Sequence, residues 1–107
     1  MTDKDKNNPE EEGGVATLTK PKTKEPSMYK IVMLNDDYTT MEFVISVLKN
    51  FFHKTYDEAN KIMLAVHHKG KGICGIYPYD VASTKIMQVH EHAKKNDAPL
   101  RCLLEKA

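Results

Sequence analysis

Three consecutive polar residues, Asn35-Asp36-Asp37, stand where an apolar run ends. Carboxylates beside an amide oxygen form a cluster of hydrogen-bond acceptors, suited to a cation with several N–H donors or to acid–base work. The same residue types also build Asx turns and favour helix starts, so turn chemistry alone accounts for them too. Five histidines, His53, His67, His68, His90 and His92, raise metal ligation as a second chemistry. Their spacing argues against it: residues two apart on a helix project about 200° apart, which separates His90 from His92, and adjacent His67 and His68 diverge by about 100°. Neither C-x-x-C nor H-E-x-x-H occurs in the chain, so no metal site is expected. Cys74 and Cys102 lack a sequence context that would activate a thiol, and Gly70-Lys71-Gly72 is too short for a phosphate loop. No cofactor is expected, and the absence of a conspicuous nucleophile or cofactor motif sets an enzyme using Asp36, Asp37 and His67 for acid–base work behind a binding role.

The elements that must position these groups follow from periodicity. Met28-Tyr29-Lys30-Ile31-Val32-Met33-Leu34 is rich in β-branched and aromatic residues and predicts a largely buried strand. Thr39-Thr40-Met41-Glu42 fits a capping box, with Thr39 as the cap, opening a helix whose face is Met41, Val44, Val47, Leu48 and Phe51. A second box, Thr55-Tyr56-Asp57-Glu58, opens a helix with Ala59, Ile62, Met63 and Val66 on one face, and Gly70 is placed to stop it. Gly72 to Tyr77 predicts a second strand. Pro78 and Asp80 begin a third helix with a stripe of Ala82, Ile86, Val89 and Ala93; Leu100 to Leu104 predicts a last strand. The order β-α-α-β-α-β predicts an α+β two-layer sandwich, a mostly antiparallel three-stranded sheet covered by three helices.

Composition sets the outer bounds. The chain has 107 residues, enough for one small core, and a formal net charge of +1, which lacks the basic excess of a general nucleic-acid binder. No apolar run approaches the roughly 20 residues of a membrane span, and the amino terminus shows no signal-peptide core. Two cysteines far apart in the chain are expected to be free thiols in a reducing cytoplasm. Residues 1–27 hold three of the five prolines, five Lys and six acidic residues, with only Met1, Val15, Ala16 and Leu18 apolar. Such a segment buries too little surface to offset its ordering entropy, so a disordered extension over 1–27 and a folded domain over 28–107 are expected.

By strand alternation, Met33 and Asn35 share one side of the first strand, and by helical spacing Met63, Val66 and His67 share one side of the second helix. Where these sides meet, a methionine-lined slot acquires a rim of carboxylate, amide and imidazole. Spacing alone also allows Met33, Met41 and Met63 to be ordinary core residues.

Residues 28–48 (MYKIVMLNDDYTTMEFVISVL), 64–77 (LAVHHKGKGICGIY) and 100–107 closely resemble the ClpS adaptor family. One departure is Thr40, where that family usually has proline, which removes a preset φ at the start of the helix. The resemblance implies a non-catalytic adaptor that binds proteins beginning with Leu, Phe, Tyr or Trp and delivers them to the ClpA unfoldase of the ClpAP protease. It implies that Asn35, Asp36, Asp37 and His67 hold the α-amino group, with the directly contacting aspartate left open. Met33, Thr39, Met41, Val44, Met63, Val66 and Leu100 would line or gate the side-chain pocket, Asp80 and Lys85 would dock the unfoldase, and segment 1–27 would be gripped by it. The same element order also serves small ribosome-associated or protein-interaction domains that have no such pocket.

Overall fold

The computed structural model describes residues 26–107; the extension expected to be disordered lies outside the described residues except for Pro26 and Ser27. Strand β1 (Met28–Leu34) is followed by α1 (Met41–Phe52), α2 (Tyr56–Lys69), β2 (Lys71–Pro78), α3 (Tyr79–Lys95) and β3 (Arg101–Lys106). The sheet order is β2-β1-β3 and both pairings are antiparallel, so the expected sandwich forms with β1 at its centre. The helix-covered face carries Ile31, Met33, Cys74 and Cys102, which join Val47, Leu48, Phe52, Ala82 and Val89 in a single core. Val32 points to the other face, flanked by Ile73 of β2 and Leu103 of β3. Among the described residues, no helix is long and apolar enough to cross a membrane.

Local chemistry explains most boundaries. The Thr55–Glu58 box closes: Glu58 donates its N–H to Thr55 Oγ1 at 3.2 Å, and Thr55 donates its N–H to Glu58 Oε1 at 2.9 Å. The first box does not close as expected. Thr40 caps α1, its Oγ1 accepting from the Phe43 N–H at 3.1 Å, because Thr39 is held in the preceding turn by Asp36. Gly70 ends α2 at φ 85°, a left-handed conformation that favours a residue without Cβ, and donates its N–H to the Val66 carbonyl at 3.0 Å. β1 has the expected bounds, β2 and β3 run slightly longer than periodicity indicates, and Leu100 lies just before β3 rather than within it.

Thr40 sits at φ −73°, within the range that proline imposes, so this chain reaches the same backbone shape with a side-chain cap instead of a ring. Thr40→Pro exchanges a cap worth about 1 kcal/mol for an unfolded-state restriction worth about 0.4–1 kcal/mol. Its Tm should stay within about 5 °C of the parent by calorimetry, whereas Thr40→Ala, which gains nothing in return, should fall by roughly 4–8 °C.

The edge strand β3 is secured from α3. The Cys102 N–H donates to His90 Nε2 at 3.0 Å, so the His90 ring is a neutral acceptor there. Burial, and secondarily the Arg101 charge, lower the His90 pKa from its ordinary value. The folded state therefore holds the proton less readily than the unfolded chain. This contribution is complete above the unfolded-state pKa and declines as pH falls through it. Between about pH 7.5 and about pH 5, the parent should lose Tm more steeply than His90→Gln, whose amide oxygen accepts throughout.

Candidate functional site

Where β1 ends, the chain turns through Asn35-Asp36-Asp37-Tyr38-Thr39 before α1 begins. Asp36 organises this turn. Its Oδ1 accepts from the N–H groups of Tyr38 (2.8 Å) and Thr39 (2.7 Å), and its Oδ2 accepts from the Thr39 hydroxyl (2.7 Å). Burial alone would raise its pKa, but the hydrogen bonds from Thr39 and Tyr38 outweigh it and hold the carboxyl below its ordinary value. Asp36 is thus an ionised brace for the loop. Asp37 beside it is exposed.

A long-range bond brings the second element in. The Asn35 N–H donates to the Gly70 carbonyl at 3.0 Å, tying the end of β1 to the end of α2. His67 lies in the last turn of that helix. The chain can double back this tightly because Gly72 runs close under α2: a Cβ there would lie 2.9 Å from Val66 Cγ2 and 3.1 Å from the Ile62 carbonyl oxygen.

Between the turn, the start of α1 and the end of α2 lies a cavity of about 390 Å³. Its apolar wall is Met41, Val44, Met63 and Val66, and its polar rim is Asn35, Asp36, Asp37 and His67. Thr39 and Thr40 complete the lining together with Tyr38. Val44, Met63 and Val66 are buried, so the wall is continuous with the core, whereas Met41 is 47 % exposed and overhangs the mouth. Met41, the first residue of α1 and on the same helical stripe as Val44, lines the cavity and is not among the buried residues of its helix.

Two residues expected in the pocket are absent from its lining. Met33 and Leu100 are buried at 0 % and 3 % exposure and pack in the core cluster that includes Val44, Met63 and Val66. Alternation placed Met33 on the side of Asn35, but Met33 lies within β1 and packs in the core, whereas Asn35 is beyond the strand end. Conversely, Tyr38 and Thr40 line the cavity although neither was expected among its lining residues. An exposed aromatic inside an Asx turn was the signal for Tyr38.

Asp80 and Lys85 lie on a separate shallow depression of α3, shared with Val81, Thr84 and Gln88. Lys85 is already engaged: its Nζ donates to the Phe51 carbonyl at 2.8 Å, satisfying an end group of α1, and lies 5.2 Å from the centroid of the Tyr77 ring. Among the described residues, no three His, Cys, Asp or Glu side chains gather as a metal site. Cys74 and Cys102 are buried free thiols packed in the core, and hydrogen bonding to Cys102 and burial push the Cys74 thiol pKa up.

A family model described as "ATP-dependent Clp protease adaptor protein ClpS" matches residues 24–103. The ATP-dependent Clp protease adapter protein ClpS of Rhodospirillum centenum is 54% identical over 107 residues, covering 99% of each chain. That of Parvibaculum lavamentivorans is 58% identical over 93 residues, covering 87% of this chain and 84% of its own. Among solved structures, ClpS2 of Agrobacterium tumefaciens bound to L-phenylalaninamide matches with a TM-score of 0.74 and 34% identity, over 78% of this chain and 100% of that one.

Proposed function

The chain belongs to the ClpS family of ATP-dependent Clp protease adaptors, and from that membership we propose that its cavity captures the first residue of a protein substrate. The observation that carries this reading is the meeting of an apolar wall and an acceptor rim at one mouth. L-phenylalaninamide, the ligand of the structural relative, has a free α-amine, a benzyl side chain and an amide where the next peptide bond would follow. It is the smallest mimic of an amino-terminal phenylalanine.

The division of labour follows from donors and acceptors. An α-ammonium has three N–H donors, and the Asn35 amide oxygen, the Asp37 carboxylate and the His67 imidazole offer three acceptors. Asp36 acts through the loop, because its oxygens already receive three protein donors. Charged hydrogen bonds contribute roughly 1.5–3 kcal/mol each, and burial of a Leu or Phe side chain adds about 1.5–3 kcal/mol. Less the cost of association, the sum places affinity on the order of micromolar, weak enough for release.

The substrates are proteins beginning with Leu, Phe, Tyr or Trp. A β-branched Val or Ile would meet Met41 at the mouth, and a charged side chain would be desolvated without a partner. Delivery is to the ClpA unfoldase of the ClpAP protease, with Asp80 and Lys85 on the docking face and segment 1–27 as the part the unfoldase grips.

Fluorescence polarisation with peptides differing only in the first residue tests the pocket: Leu, Phe, Tyr and Trp should bind, while Val, Ile, Asp and Lys should be at least about tenfold weaker. Equal binding of all would leave an interaction domain without first-residue selectivity. Degradation of a Phe-initiated protein by ClpA and ClpP, with and without this chain, tests delivery.

A further inference from the structure

Tyr38 is 82 % exposed, the most exposed of the large apolar side chains described. It forms part of the wall of the cavity and also of a neighbouring shallow trough, whose other members are Lys94, Asp97, Ala98 and Pro99. The trough, of about 520 Å³, occupies the corner between the end of α3 and the start of β3. Its backbone donors are spent: Asp97 donates its N–H to the Lys94 carbonyl at 3.2 Å, Ala98 donates to the Ala93 carbonyl at 2.9 Å, and Pro99 has none. A chain crossing the trough therefore finds a phenol ring, a methyl group and a pyrrolidine ring, bordered by the Lys94 and Asp97 side chains, rather than main-chain donors.

Resting on the first-residue reading above, we propose that the trough is a subsite for the third residue of the same substrate and takes a large apolar or aromatic side chain. The register follows from extended geometry. With the first side chain in the cavity, the second points away from the surface and the third returns to it, roughly 6.6–7 Å further along the chain. That step is about the width of one phenol ring, so the third side chain clears the shared wall and lands on the trough face of Tyr38. An offset or edge-on contact with this ring adds affinity without a preset hydrogen bond. Specificity then extends beyond the first residue.

Three free-amine peptides beginning Phe-Ser-Phe, Phe-Ser-Gly and Phe-Phe-Gly test the register by fluorescence polarisation. On the parent protein, Phe-Ser-Phe should bind about fivefold more tightly than Phe-Ser-Gly, and Phe-Phe-Gly should resemble Phe-Ser-Gly. Tyr38→Ala and Ala98→Glu should each bring the ratio of Phe-Ser-Phe to Phe-Ser-Gly affinities to near one, while Tyr38→Phe keeps it. Equal affinities of Phe-Ser-Phe and Phe-Ser-Gly on the parent, or a ratio unchanged in both disruptive variants, would overturn the subsite. Acetylated Phe-Ser-Gly separates the two readings: if it binds as well as the free-amine form, the first-residue proposal itself has failed.

Discussion

Acetylating the amine of a Phe-initiated peptide is expected to weaken its binding more than a hundredfold. The acetylated nitrogen is uncharged and keeps one N–H, so at least two of the three charge-assisted bonds proposed to Asn35, Asp37 and His67 would be lost. At roughly 1.5–3 kcal/mol each, two such bonds amount to about 3–6 kcal/mol, a factor of a hundred or more. The apolar contact with Met41, Val44, Met63 and Val66 is unchanged by the modification, so it reports the rim alone. Titration calorimetry of the free and acetylated peptides measures it directly. Acetylated peptide bound within threefold of the free form would remove the amine from the recognition mechanism.

The two adjacent aspartates should separate cleanly under amide substitution. Asp37→Asn removes the exposed counter-charge from the rim and should weaken binding about tenfold to a hundredfold, with Tm changed by less than about 2 °C. Asp36→Asn preserves an oxygen for the N–H groups of Tyr38 and Thr39, so most of the loop geometry and most of the affinity should survive. Asp36→Ala removes all three bonds, lets the Asn35–Met41 loop slacken, and should lower Tm and affinity together. The double change Asp36→Ala with Asp37→Ala should abolish binding while the core fold persists, since neither residue belongs to the core. Peptide titration and calorimetry on the same preparations distinguish these outcomes. Asp37→Asn binding at parental strength would exclude Asp37 as an amine contact.

Which parts of this molecule were legible in its sequence depends on the range of the interactions involved. The Thr55–Glu58 box was readable because donor and acceptor lie three residues apart on one helix turn. Thr39 fits the box in sequence, with Glu42 three residues on, whereas Thr40 has Phe43 there and offers only its hydroxyl. Only the folding back of Asp36 onto Thr39 leaves the cap to Thr40. Met33, Met41 and Met63 look alike as apolar residues on periodic faces, yet they end as a core residue, an overhanging lip and a cavity wall. Periodicity states the side on which a residue stands but not how far the neighbouring elements extend over it.

The succession of elements along the chain, most helix faces, the Gly70 stop and the acidic turn were written in the chain, since each rests on contacts along one strand or one helix. The association of Asn35 with the end of α2, the separation of Met33 and Leu100 from the cavity lining, and the junction of two depressions at Tyr38 were settled by tertiary packing. These features join residues 30 or more positions apart, where loop closure and steric cover set distance and local propensity has no influence.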